Sequence, residues 1–219
     1  MSDEAELPAG IALNDPRPIA AEAPYTFYLP LPQELEALEP GDMVQAIFRE
    51  TAGDRQYAAE RMWLEVEAIA GGFVSGKLVN QPFDMPSLKL DDRMRIPLTH
   101  VITVSFRENK PKLDMAAPRS YWDRCFVDAC VVEGRCHADY FYREEPDMTK
   151  EGDKDPDSGW RIRGTDEAIA EDERLGEKPM YIALGKVLNQ DDRWIHLIDS
   201  KIGSAFQWDP RRGDYIALR

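Results

Sequence analysis

A chain of 219 residues has room for one large domain or two small ones. Hydrophobic residues at 43% and charged residues at 31% exclude a disordered tail, and a formal net charge of −14 argues against nucleic acid or an anionic membrane as partner. No apolar run of membrane-spanning length occurs, the acidic start MSDEAELPAG lacks the regions of a secretory signal, and Cys125, Cys130 and Cys136 are too few for a disulfide framework, so a cytoplasmic location is expected.

Residues 1–24 are rich in Ala, Pro and acidic side chains without a period, and read as a flexible acidic arm. The aromatic, Pro-punctuated run over 25–32 is extended, and 33–38 makes a short helical turn closed by Pro40 and Gly41. Strand signals follow at 43–49. Over 61–69, Met62, Leu64, Val66 and Ala68 share one face, with Trp63, Glu65 and Glu67 on the other. Gly71-Gly72 turns the chain into a second hairpin arm over 73–79. A loop over 80–86, a stretch over 88–97 with a polar turn at Asp91-Asp92, and a strand over 100–106 follow. Together 25–110 read as a small barrel-like β domain, and the proline-punctuated, unpatterned stretch 111–120 as a linker.

The second half, 121–219, reads as an α+β domain. An apolar strand over 121–132 turns at Glu133-Gly134 and pairs back through 137–142. A polar loop over 147–158 leads to a short strand over 159–163. Thr165 before Asp166 and Glu167 has the chemistry of an N-cap, which places a helix over 165–174. The run 180–187 fits a helix or a strand equally, a strand is expected over 194–198, and 203–208 with 215–218 close the domain. The fold class is therefore α+β, built as two mostly β modules.

No G-x-S-x-G elbow, Walker A loop or G-x-G-x-x-G occurs. Cys136 and His137 are neighbours on an expected strand and point to opposite faces, so they make no nucleophile–base pair. The cysteines lack the C-x-x-C spacing that grips zinc and read as small buried hydrophobes. Asp153, Asp155 and Asp157 alternate as in a calcium loop, yet Ser158 and Gly164 stand where Gly and Glu are required. No metal and no cofactor is expected. His100, His137 and His196 lie in apolar strand contexts and read as structural. Glu144-Glu145 and Asp166-Glu167 are adjacent carboxylates of a kind that an acidic chain offers by chance, so no catalytic residue is assigned. The charge is grouped: residues 1–50 hold ten acidic side chains against Arg17 and Arg49, and 144–177 hold thirteen against five basic ones. Such regions steer association with a basic partner.

The most distinctive words are YREEPD over 142–147, DSGWR over 157–161, GTDE over 164–167, Leu188-Asn189, Asp199-Ser200 and GSAF over 203–206. This series resembles the thirty-third immunity family of bacterial polymorphic toxin systems, formerly a domain of unknown function, over residues 121–219. The words ERMWLEV over 60–66, GKLVNQP over 76–82, LKLDD over 88–92 and PLTHVI over 97–102 resemble a second small bacterial family of unknown function, over residues 42–106. The first resemblance implies a protein that neutralises a cognate toxin by binding and occlusion, without catalysis. The net charge of −14 suits a basic toxin. The expected contact residues are Glu144, Glu145, Asp147, Asp157, Trp160, Asp166 and Glu167, and Arg143 is expected to pin the loop through Glu145 or Asp157. Two other readings remain: a housekeeping interaction module without a toxin, and a hydrolase built around Glu144 and Glu145. A closed pocket holding two carboxylates would mark the hydrolase, and genomic context would separate the housekeeping module.

Overall fold

The computed structural model describes residues 5–53, 56–110 and 118–218. Residues 1–4 of the expected arm and 111–117 of the expected linker lie outside them. The described residues fall into two compact units, one drawn from the ranges Met1–Glu22 and Phe27–Ala117, the other from Ala23–Thr26 and Pro118–Arg219. Strands account for 33% and helices for 19%, so the molecule is mostly β, with helices added to the second unit's sheet.

In chain order the first unit contains β1 (Ile11–Leu13), α1 (Pro16–Glu22), α2 (Pro32–Glu36), β2 (Met43–Glu50), β3 (Glu60–Ala70), β4 (Phe73–Leu78), β5 (Arg93–Pro97) and β6 (Val101–Ser105). The strands β2 to β5 form an antiparallel meander, and the other side of β2 carries β1 and β6. The sheet curls into a half-barrel. Alternation explains the core: Val44, Ala46 and Phe48 on β2, Met62, Leu64 and Val66 on β3, and Val74 and Leu78 on β4 are at most 1% exposed. Ala68, expected on this face, is exposed instead. A bulge between Val66 and Ala68 shifts the alternation by one residue, and Ile69 packs on the core in its place. Gly76 lies opposite this bulge, where a Cβ would stand 2.5 Å from the Glu65 carbonyl oxygen.

The segment expected as an arm is largely built into this sheet. Glu6 exchanges two backbone hydrogen bonds of 2.9 Å with Arg95 of β5, β1 pairs with β2, and Ile11 is buried. The chain before β2 therefore reaches both outer strands of the meander. The strand expected over 100–106 begins one residue later, because His100 closes a 3-10 turn over Leu98–His100.

The second unit contains β7 (Arg124–Val127), α3 (Ala129–Val132), β8 (Tyr140–Arg143), β9 (Asp157–Arg163), α4 (Asp166–Leu175), β10 (Met180–Ala183), α5 (Leu184–Gln190), β11 (Ala205–Asp209) and β12 (Asp214–Leu218). The sheet order is β10-β7-β9-β8-β11-β12, antiparallel except for the parallel pair β7 and β9. The expected apolar strand over 121–132 is thus a short strand followed by a helix, and no hairpin joins β7 to β8. After β7, α3 carries the chain away, and β9 enters between β7 and β8. The ambiguous run 180–187 is both things in turn, β10 and then the start of α5. The expected strand over 194–198 is a 3-10 turn, Ile195–Leu197, behind the buried Trp194.

One face of this sheet carries the core. Cys125 and Val127, Phe141, Trp160 and Ile162, and Phe206 meet Val131 of α3 and Val187 and Leu188 of α5. Phe141 touches Trp160, Trp194, Phe206 and Tyr215 with ring centroids 4.9–5.5 Å apart. The short segment Ala23–Thr26 is anchored in the same unit. Tyr25 lies edge-on to Tyr121 at 5.4 Å, and its amide donates to Asn189 Oδ1 at 2.9 Å.

Candidate functional site

The seven predicted contact residues surround β9. At its start the chain turns tightly, with Gly159 at φ 80°. A Cβ at Gly159 would lie 2.2 Å from the Glu144 carbonyl oxygen, so only glycine lets β9 approach the end of β8. Alternation then sends Trp160 and Ile162 into the core and Arg161 and Arg163 to the opposite face.

Arg161 organises the loop between β8 and β9. Its Nη1 and Nη2 donate to Asp157 Oδ1 and Oδ2, each at 2.9 Å, a two-point guanidinium–carboxylate contact. Its Nε donates to Glu144 Oε1 at 2.5 Å, Nη2 donates also to Asp147 Oδ1 at 2.9 Å, and the guanidinium lies 5.2 Å from the centre of the Phe126 ring. Asp157 is buried and also accepts from the Gly159 amide at 2.9 Å. Burial alone would raise its carboxyl pKa, but Arg161 and the amides outweigh it and hold the group below its ordinary value. Asp157 in turn raises the pKa of Arg161. The loop is pinned as expected, but by Arg161. Arg143 lies on the core face of β8, where it donates to the carbonyls of Ser158 (3.0 Å) and Ser200 (2.8 Å) and sits 5.6 Å from the Trp160 ring.

The structure therefore divides the seven residues. Trp160 is fully buried and donates its indole N–H to the Ile198 carbonyl at 3.2 Å, and Asp157 is bound to Arg161. Neither offers a surface contact; both fix the fold. Glu144 and Asp147 form a rim over Arg161 and Glu145 is exposed beside them. Asp166 and Glu167 are exposed in the first turn of α4, beyond the other end of β9. A strand of this length separates the two acidic groups by roughly 20 Å, so they are two patches. The helix starts as expected, Thr165 Oγ1 accepting from the Ala168 amide at 3.4 Å.

Glu144 is engaged by Arg161, so the Glu144–Glu145 pair is not two free carboxylates facing one substrate. Burial pushes the thiols of Cys125 and Cys130 up, away from the thiolate that nucleophilic attack requires. Among the described residues no group of three or more His, Cys, Asp or Glu side chains is placed to hold a metal ion, and no helix is long and apolar enough to cross a membrane. None of the three histidines lies in a strand: His100 and His196 sit in 3-10 turns and His137 in a loop beside Trp208, at 5.6 Å.

Phe126, Tyr140, Tyr142 and Tyr181 lie on the sheet face opposite the core, and none joins the core cluster. Phe126 packs on Tyr181 at 5.1 Å and Tyr140 stacks on Tyr142 at 5.6 Å. The signal available in the sequence is Tyr140-Phe141-Tyr142, where aromatic residues occupy both parities of one strand.

No curated protein and no solved structure matches the chain. Residues 32–111 match the family model of an uncharacterized protein conserved in bacteria, DUF2314, a stretch running from α2 past β6. Residues 125–218, from β7 to β12, match the model of the immunity protein Imm33 domain, so the unit that carries both acidic patches is similar to an immunity protein.

Proposed function

We propose that this protein is an immunity protein that neutralises a cognate bacterial toxin by binding it and covering its working surface. The observation that carries this reading is the match of residues 125–218 to the immunity protein Imm33 domain. The site's chemistry supports it. The distinctive sequence words build a pinned loop and a core aromatic, which make a rigid scaffold, and occlusion needs a rigid complementary surface without a reacting group. The rim of Glu144, Glu145 and Asp147, with the second patch at Asp166 and Glu167, suits a basic toxin, and the bacterial cytoplasm is where such a protein would meet it.

The test is protection. The toxin domain encoded beside this gene is expressed in a surrogate bacterium with and without the protein. Growth arrest by the toxin domain alone and full rescue by co-expression are expected. Arrest that persists despite co-expression, or the lack of any toxin gene beside this one, favours a housekeeping interaction module.

A further inference from the structure

The immunity reading names a partner but no docking place, and the rim residues lie in two patches roughly 20 Å apart. Between them runs the aromatic sheet face. Cross-strand register aligns one row as Tyr181, Phe126, Arg161, Tyr142 and Ala205, and a second as Arg163, Tyr140, Gln207 and Ile216. Arg163 stands at the end of β9 with a hollow on each side. One, of about 510 Å³, is lined by Phe126, Asp128, Arg163, Lys178 and Pro179. The other, of about 380 Å³, is lined by Tyr140, Ile169 and Gln207 together with Asp139 and Asp166.

The charges of the two hollows differ. Arg163, common to both, donates its Nε to the buried Asp128 at 2.7 Å, so its charge is answered. In the second hollow Asp139 accepts from the Gln207 amide at 2.6 Å and faces His137 at 3.3 Å, while Asp166 has no cation within ion-pair distance among the described residues. That hollow holds two carboxylates, and the arginine that lines it, Arg163, is bound to Asp128 rather than to either of them. The first is walled by the Phe126 ring and Pro179, with the paired Asp128 and Arg163 also in its lining. The two lie on either side of one strand, about 10 Å apart, within reach of a single extended segment.

We propose that the sheet face around Arg163 is the docking surface for the toxin. A segment of the toxin places an apolar side chain in the Phe126–Pro179 hollow and a lysine or arginine in the Asp139–Asp166 hollow. Apolar anchoring beside a desolvated charge pair is the usual chemistry of a binding hot spot. The inference rests on the immunity reading and goes beyond it by fixing the face and the chemistry of the segment that meets it.

The experiment measures binding of the purified full-length protein to the toxin domain encoded beside it. Asp166→Lys and Tyr140→Ser should each weaken the complex about tenfold or more, whereas Glu108→Lys, a charge reversal at an exposed position of the first unit outside both acidic regions, should change affinity less than about twofold. Footprinting the wild-type complex keeps the test independent of variant folding: Lys178 should be shielded from acylation and Asp166 from carbodiimide coupling. Tight wild-type binding with both variants unaffected and both side chains still labelled overturns the docking face and leaves the immunity reading standing. No binding by the wild type removes both.

Discussion

Arg161 is the residue on which the second unit's loop depends. It is a nearly buried guanidinium meeting three carboxylates, of which only Asp157 is fully enclosed. Replacing Arg161 with Met leaves that carboxylate buried without its partner, and breaking such a pair costs about 3–5 kcal/mol. Urea unfolding followed by tryptophan fluorescence should show that loss for Arg161→Met, and a smaller one when Asp157→Leu accompanies it. An unchanged midpoint for the single variant would contradict this assignment. The same chemistry sets a pH dependence. Asp157, Asp172 and Asp191 are each held below their ordinary value by an arginine and a backbone amide that outweigh the opposing effect of burial. Each binds its proton more weakly folded than unfolded, so the stabilisation is complete above the unfolded value near 4 and is lost as pH falls below it. Acid unfolding monitored at Trp160 and Trp194 should therefore set in below about pH 4. Stability that stays constant from pH 5 to pH 2 would refute it. The sequence pointed to an arginine pinning this loop but chose Arg143 over Arg161. Which arginine faces the carboxylates depends on strand parity, and the turn at Gly159 sets that parity.

At the scale of elements, local patterning was legible and pairing was not. Met62, Leu64 and Val66 could be placed on one face from alternation alone, and Thr165 could be read as a cap because its partners lie within one turn. The bulge beyond Val66 lies opposite Gly76, whose close approach to the Glu65 carbonyl no single strand's pattern reveals. The expected hairpin of β7 with β8 failed for a related reason. A parallel neighbour is reached by a crossover, and the helix α3 that starts it has the same apolar composition as a strand. The N-terminal residues read as an arm because their two pairings, with β5 and β2, are each long-range. Two substitutions test the elements that frame the site. Gly159→Ala forces a Cβ against the Glu144 carbonyl at positive φ and should cost more than about 1 kcal/mol, while Thr165→Ala should cost about 1 kcal/mol by uncapping α4. Thermal melts of both variants check this, and a Gly159→Ala variant as stable as the parent would mean that β8 and β9 do not approach as described.

At the scale of the molecule, two independent cores carry an excess of negative charge that is concentrated at 1–50 and 144–177. Of the candidate site, the acidic rim was legible as composition. The aromatic face between its patches was not, because it is assembled from β7, β8 and β10, which are far apart in the chain. If the charge guides a basic toxin to this protein, association should slow about tenfold or more between low salt and about 0.5 M, with dissociation little changed, since salt screens long-range steering more than close contacts. Stopped-flow mixing at several salt concentrations reads this directly, and a salt-independent on-rate would assign the acidity to solubility alone. The central claim, that the protein acts by occupying its partner, is tested most directly by titrating it into a fixed amount of the toxin domain encoded beside it while toxin activity is measured. Occlusion predicts a linear fall in activity that ends at one equivalent and returns when the complex is dissociated. Complete inactivation by a small fraction of an equivalent, or full activity at excess, would contradict it.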